Sequence, residues 1–170
     1  MRNLKTFSKL TIIITIVALG FMLTSCGKDG ATGPQGPQGN ANVWANTYVV
    51  SSWSLNSTNY YIDLYDADIS SSVQGSGTVQ VFLSLNNGVD WNALPMTYVG
   101  SPYYVMTYST EVKNVFIDWI YSGSGVGSDP NTVYGTNCLF KVVVIPPSYK
   151  KPNVNLRNYA EVKAAYNLKD

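Results

Sequence analysis

Thr78-Val-Gln-Val-Phe-Leu-Ser-Leu85 is the stretch that decides how the chain folds. Val79, Val81, Leu83 and Leu85 recur at every second position, which places them on one face of a β-strand. Gln80 and Ser84 fall on the other face, and the alternation points them outward. Asn87-Gly88 follows, a pair that tolerates the left-handed backbone of a tight hairpin turn. Trp91 to Tyr98 is then the hairpin partner, held to an edge or a bulge by Pro95, which has no N–H to give to a ladder.

The same texture continues to either side. Val43 to Val50 and Thr58 to Tyr65 read as strands, the second with Tyr60, Ile62 and Leu64 on one face. Tyr103 to Thr110 and Val112 to Tyr121 follow, and a polar Asp118 implies that Val115, Ile117 and Trp119 turn inward. After a Gly-, Ser-, Asp- and Asn-rich loop from Ser122 to Asn137, Cys138 to Ile145 is the most apolar strand, ended by Pro146-Pro147. About seven short strands between turn signals predict an all-β head over residues 41–155, an antiparallel β-sandwich of Ig-like or jelly-roll-like plan. Asn158-Tyr-Ala-Glu161 has the form of a capping box, with Tyr159, Val162 and Tyr166 on one stripe behind it. Residues 156–170 are therefore expected to form a short C-terminal helix packed on the head.

Ahead of the head, Arg2, Lys5 and Lys9 precede an apolar run from Leu10 to Leu23. That run is too short for a bilayer span, which takes roughly 20 residues, but it suits a signal core. Leu23-Thr24-Ser25-Cys26 resembles the lipobox of bacterial lipoproteins at all four places. The resemblance implies a signal peptide over 1–25, lipid attachment (palmitate among the acyl chains) at Cys26, and a membrane partner through those chains. Glycine then recurs at every third position, as Gly27, Gly30, Gly33, Gly36 and Gly39. Only glycine fits the axis of a collagen triple helix. So few triplets contribute little against the entropy of ordering three chains, which favours a spacer over 26–40 at about 3.1 Å per residue. A homotrimeric stalk is the alternative.

Composition excludes several functions. Removing the signal leaves eight basic and ten acidic residues, and no basic block, so nucleic acid is not an expected partner. The chain has no histidine, which removes Ser-His-Asp and Cys-His catalysis, His-ligated zinc and the commonest general base. An enzyme is not expected, and neither is a cofactor. Cys26 is committed to lipid, so Cys138 has no disulfide partner and reads as a small buried hydrophobe.

Two sets of residues remain as candidates for binding. Asp63, Asp66 and Asp68 form the acidic cluster, and three carboxylates at a strand end are a calcium-ligand chemistry. The glycine and final glutamate of an EF-hand loop are missing, so a solvated edge is the favoured reading. Trp44, Trp53, Trp91 and Trp119, with thirteen tyrosines, are rings that could stack on a glycan or line a protein interface. A carbohydrate-binding module requires two or more of those tryptophans exposed on one flat face. Rings that simply fill a β core are the favoured alternative.

The order of parts resembles a family of small Bacteroidota lipoproteins with collagen-like triplets. The resemblance rests on Cys26-Gly-Lys-Asp-Gly30, on Gly33-Pro-Gln-Gly-Pro-Gln-Gly-Asn-Ala-Asn-Val43, on Lys141-Val-Val-Val-Ile-Pro146 and on Tyr159-Ala-Glu-Val-Lys163. It implies an outer-membrane lipoprotein, on the cell surface or the periplasmic face, and no catalytic residues. Lys28-Asp29 resembles half of a surface-export signal, although Gly30 stands where a second acid belongs. The expected function is a non-catalytic envelope lipoprotein whose head binds a partner, protein or glycan.

Overall fold

A computed structural model describes residues 42–100 and 102–169. The signal peptide, Cys26 and the Gly-X-Y tether lie outside the described residues.

Among the described residues nine strands make two antiparallel sheets. In chain order they are β1 (Trp44–Val50), β2 (Ser54–Asn56), β3 (Asn59–Tyr65), β4 (Thr78–Ser84), β5 (Asn92–Ala93), β6 (Met96–Tyr98), β7 (Tyr104–Glu111), β8 (Asn114–Tyr121) and β9 (Cys138–Ile145). The first sheet runs β1-β9-β4-β5 and the second β2-β3-β8-β7-β6. Among the described residues three short α-helices punctuate them, α1 (Ser71–Ser76), α2 (Pro130–Tyr134) and α3 (Tyr159–Tyr166), with a single 3-10 turn at Pro147–Tyr149.

The main core lies between the sheets. Val81 and Leu83 of β4 meet Ile62 and Leu64 of β3 there, with Val115, Ile117 and Trp119 of β8 and Phe140 and Val142 of β9. These are the inward positions that alternation assigns, and the fold is β-sandwich-like as expected. Tyr108 of β7 ties the layers by donating its hydroxyl to the Val79 carbonyl at 3.0 Å.

Three features depart from the sequence reading. The strand count rises from about seven to nine. One addition is β2, which folds back on β3 through Ser57, a residue with φ of 57°. The other comes from the hairpin partner, which divides at Leu94-Pro95, a cis peptide. Asn92 and Ala93 pair with β4, whereas Met96 to Tyr98 pair with β7 in the other sheet. Secondly, Gln80 and Ser84 are buried and not outward. The outer face of the first sheet is covered by the C-terminal segment, so Phe82, Val143 and Ile145 form a second core with Tyr159, Val162, Tyr166 and Leu168. Gln80 donates its amide to the Leu94 carbonyl at 3.1 Å, and the Ser84 hydroxyl accepts from the Gly88 N–H at 2.9 Å. Thirdly, α2 interrupts what reads as a loop; the Asp129 carboxylate caps it through the Thr132 N–H at 2.9 Å, and Pro130 stands in its first turn.

The C-terminal helix is as expected. Asn158 Oδ1 accepts from the Glu161 N–H at 3.3 Å, and its amide donates to the Glu161 carboxylate at 3.0 Å. Tyr159, Val162 and Tyr166 are its buried residues.

Candidate functional site

The two sheets have unlike outer faces. That of the first sheet is sealed by α3 and the chain around it. On the second sheet, the residues alternating with the core positions are Tyr61, Asp63 and Tyr65 of β3, Asn114, Phe116, Asp118 and Ile120 of β8, and Val105, Thr107, Ser109 and Glu111 of β7. Register lays them out in rows: Asp118 lies between Tyr61 and Thr107, and Phe116 between Asp63 and Ser109. Tyr65 is 63% exposed, and Tyr61 and Ile120 are each 38% exposed, so this face carries ring and aliphatic surface that no described element covers.

Charge is divided in the same way. Asp63, Glu111 and Asp118 stand on the open face, and none of its strand positions carries a cation. Among the described residues the cations are Lys113, in the β7–β8 turn, and six residues from Lys141 onward. Glu161 is the one acid described in that C-terminal stretch. The head is near neutral in sum, and the open face holds carboxylates alone at its strand positions.

A polar groove of about 670 Å³ opens on the sealed side, lined by Val89 to Asn92 and by Arg157 to Ala160. Trp91 forms one wall. The Lys141 ammonium, on a side chain only 3% exposed, lies 4.5 Å from the Trp91 ring centroid and 4.8 Å from that of Tyr159. It also donates to the Tyr159 hydroxyl at 2.9 Å. The two rings are 5.6 Å apart. A buried ammonium thus fixes the wall by cation–π attraction.

The acidic cluster separates into two places. Asp66 is buried, accepting from the Asn46 amide at 3.2 Å and the Asp68 N–H at 3.0 Å, and Asn46 also reaches Asp68 at 2.9 Å. Asp63 stands apart on the open face. No group of three or more acidic, cysteine or histidine residues among the described ones is placed to hold a metal ion. The Asp66 carboxylate instead closes the turn after β3, and α1 is capped separately by the Ser70 hydroxyl, which accepts from the Val73 N–H at 3.3 Å. Burial, followed by the neighbouring Asp66 charge, raises the Tyr48 hydroxyl well above its usual range.

None of the four tryptophans is fully exposed. Trp119 is 1% exposed and stacks on Tyr104 at 4.6 Å, with its indole N–H on the Ser128 carbonyl at 3.1 Å. Trp53 packs edge-on against Phe140, and Trp44 lies partly buried against the same core. A flat platform of two or more exposed tryptophans is not formed, and of the four it is Trp91 that lines the polar groove. Cys138 is fully buried, and burial, with Asp129 adding, pushes its thiol up to about 12, which makes it unreactive.

No known protein family, curated protein or solved structure matches the chain. Sequence reasoning missed the division of charge, although the signal was present: apart from Lys113 the cations of the head run from Lys141 onward, and apart from Glu161 and Asp170 its acids precede them. Asp90, Asn92 and Arg157 carried no motif. Folding alone brings segments so far apart in the chain to one groove.

Proposed function

We propose that this chain is a lipid-anchored, non-catalytic lipoprotein of the bacterial outer membrane, held by acylated Cys26 on a Gly-X-Y spacer. Its head binds a basic protein surface through the open face of the second sheet. The observation that carries the reading is the contrast between the faces: one is sealed by the chain's own C-terminus, and the other leaves Tyr61, Tyr65 and Ile120 in solvent among carboxylates. Rings supply contact area at little rotamer cost. Unopposed carboxylates select a cationic partner and speed its approach.

The test is a photo-reactive residue placed at Tyr61 in intact cells, beside one at Ala164 on the exposed side of α3. A discrete protein adduct from position 61, absent from position 164 and lost in a double variant carrying Asp63→Lys and Asp118→Lys, is the expected result. Adducts of equal yield from both positions, or from 164 alone, refute the open face as the site. Loss of membrane association in Cys26→Ser tests the anchor separately.

A further inference from the structure

The groove beside Trp91 is separate from the open face, and its groups are those that recognise a sugar. A saccharide ring offers a face of C–H bonds, which settles on an aromatic wall, and an edge of hydroxyls that both donate and accept. Here Trp91 is the wall, with Asp90, Asn92, Arg157 and Asn158 around it and only Val89 and Ala160 as aliphatic lining. A volume of about 670 Å³ lies within the range of small-ligand sites, roughly 300–1,000 Å³. We infer that this groove binds a neutral saccharide, with Trp91 stacking on a sugar face and Asp90, Asn92, Arg157 and Asn158 meeting its hydroxyls.

Charge and rigidity both favour that ligand. One carboxylate and one guanidinium line the groove together, so an anion meets Asp90 and a cation meets Arg157, whereas a hydroxylated neutral ligand satisfies both. The lining is also held before any ligand arrives. Asp90 accepts from the Asn86 amide at 2.7 Å, while its N–H donates to Asn86 Oδ1 at 2.9 Å. Arg157 donates to the Pro95 carbonyl at 3.1 Å, Asn158 to Glu161 at 3.0 Å, and Trp91 is braced by Lys141 and Tyr159. Side chains already ordered lose less entropy on binding.

The experiment uses the full-length lipidated protein in nanodiscs, with 5-fluorotryptophan incorporated. Four tryptophans give separate fluorine resonances, and Trp91→Phe assigns one of them. Soluble α- and β-linked glucan, mannan and chitin hexasaccharides are titrated in turn, and inorganic phosphate alongside. We expect at least one saccharide to shift the Trp91 resonance saturably, with half-saturation below about 10 mM. Arg157→Ala and Asn92→Ala, both exposed positions, should each raise that half-saturation by about tenfold at unchanged unfolding midpoint. Tyr61→Arg on the open face should leave it unchanged, so failure of the protein-binding reading does not carry this one with it. The inference is overturned if no saccharide shifts Trp91, if phosphate shifts it in their place, or if binding survives both groove variants.

Discussion

Two glycines, Gly75 and Gly77, should respond to alanine with opposite signs. At Gly77, which follows α1 and leads into β4, an added Cβ would lie 2.7 Å from the Val73 Cα, 2.8 Å from the Ile145 carbonyl oxygen and 2.9 Å from the Val73 carbonyl oxygen. All three are backbone atoms, so no rotamer change makes room. Either α1 moves off the end of β9, or the 2.8 Å bond from the Gly77 N–H to the Val73 carbonyl stretches. Overpacking of this kind costs about 1–3 kcal/mol and a weakened hydrogen bond about 1 more, against about 0.4–1 kcal/mol regained by stiffening the unfolded chain. The net expectation for Gly77→Ala is a loss of about 1–3.5 kcal/mol. At Gly75, inside α1, an added Cβ meets nothing within 4 Å. Alanine there should gain about 0.5–1 kcal/mol from helix propensity and backbone entropy. Urea unfolding of the head from residue 42 onward, followed by tryptophan fluorescence, reads both values from shifts in midpoint at constant slope. If both variants move in the same direction, or Gly77→Ala stays within about 0.5 kcal/mol of the parent, the close approach of α1 to β9 is not as described.

Alkali should unfold the head in part through Cys138. Its thiol is raised from 9.0 to about 12, so the folded state keeps a proton that the unfolded chain releases. That contribution is complete below about pH 9 and is lost as pH rises toward about 12, at about 1.4 kcal/mol per pH unit. Cys138→Ala should therefore show a shallower decline of urea midpoint across that window, and parallel curves would refute the assignment. Asp66→Ala should cost about 1–2 kcal/mol, because the Asp68 N–H loses its acceptor and the Asn46 amide keeps only Asp68; a neutral effect on thermal unfolding would show that water replaces it freely. Light scattering on chains beginning at residue 27 and at residue 42 should find a monomer in both, as a spacer requires, whereas a trimer lost with the triplets would make the stalk real.

Strands whose two faces differ were the legible part of this chain. Thr78 to Ser84 and Asn114 to Tyr121 alternate, and their inward residues, Val81, Leu83, Val115, Ile117 and Trp119, are buried as the period demands. The capping box at Asn158 was legible for the same reason, since its chemistry is local. The second core was not. Alternation says which residues share a face, and it does not say whether the other face is wet. The clue lay in β9, where Val142 to Ile145 are apolar without a break, the mark of a strand covered on both sides. Pro95 reads as a disruption, yet the move of the strand from one sheet to the other depends on pairing with β7, which begins at Tyr104, and no residue within the strand itself encodes it. The candidate site was less legible still. Trp91 was one of four equivalent tryptophans until folding buried Trp119, packed Trp44 and Trp53 against the main core, and set Arg157 beside Trp91.

The lengths of the outermost strands have a consequence for crowding. The second sheet ends in β2 and β6, each three residues long, and the first ends on one side in β5, two residues long. A row of unpaired backbone groups that short is a poor template for a neighbour's strand. The exception is β1, whose seven residues form the remaining border. Heads packed densely on one surface collide constantly at high local concentration. Three of the four borders cannot propagate a shared sheet between them, which leaves β1 as the place where a fibre would have to begin.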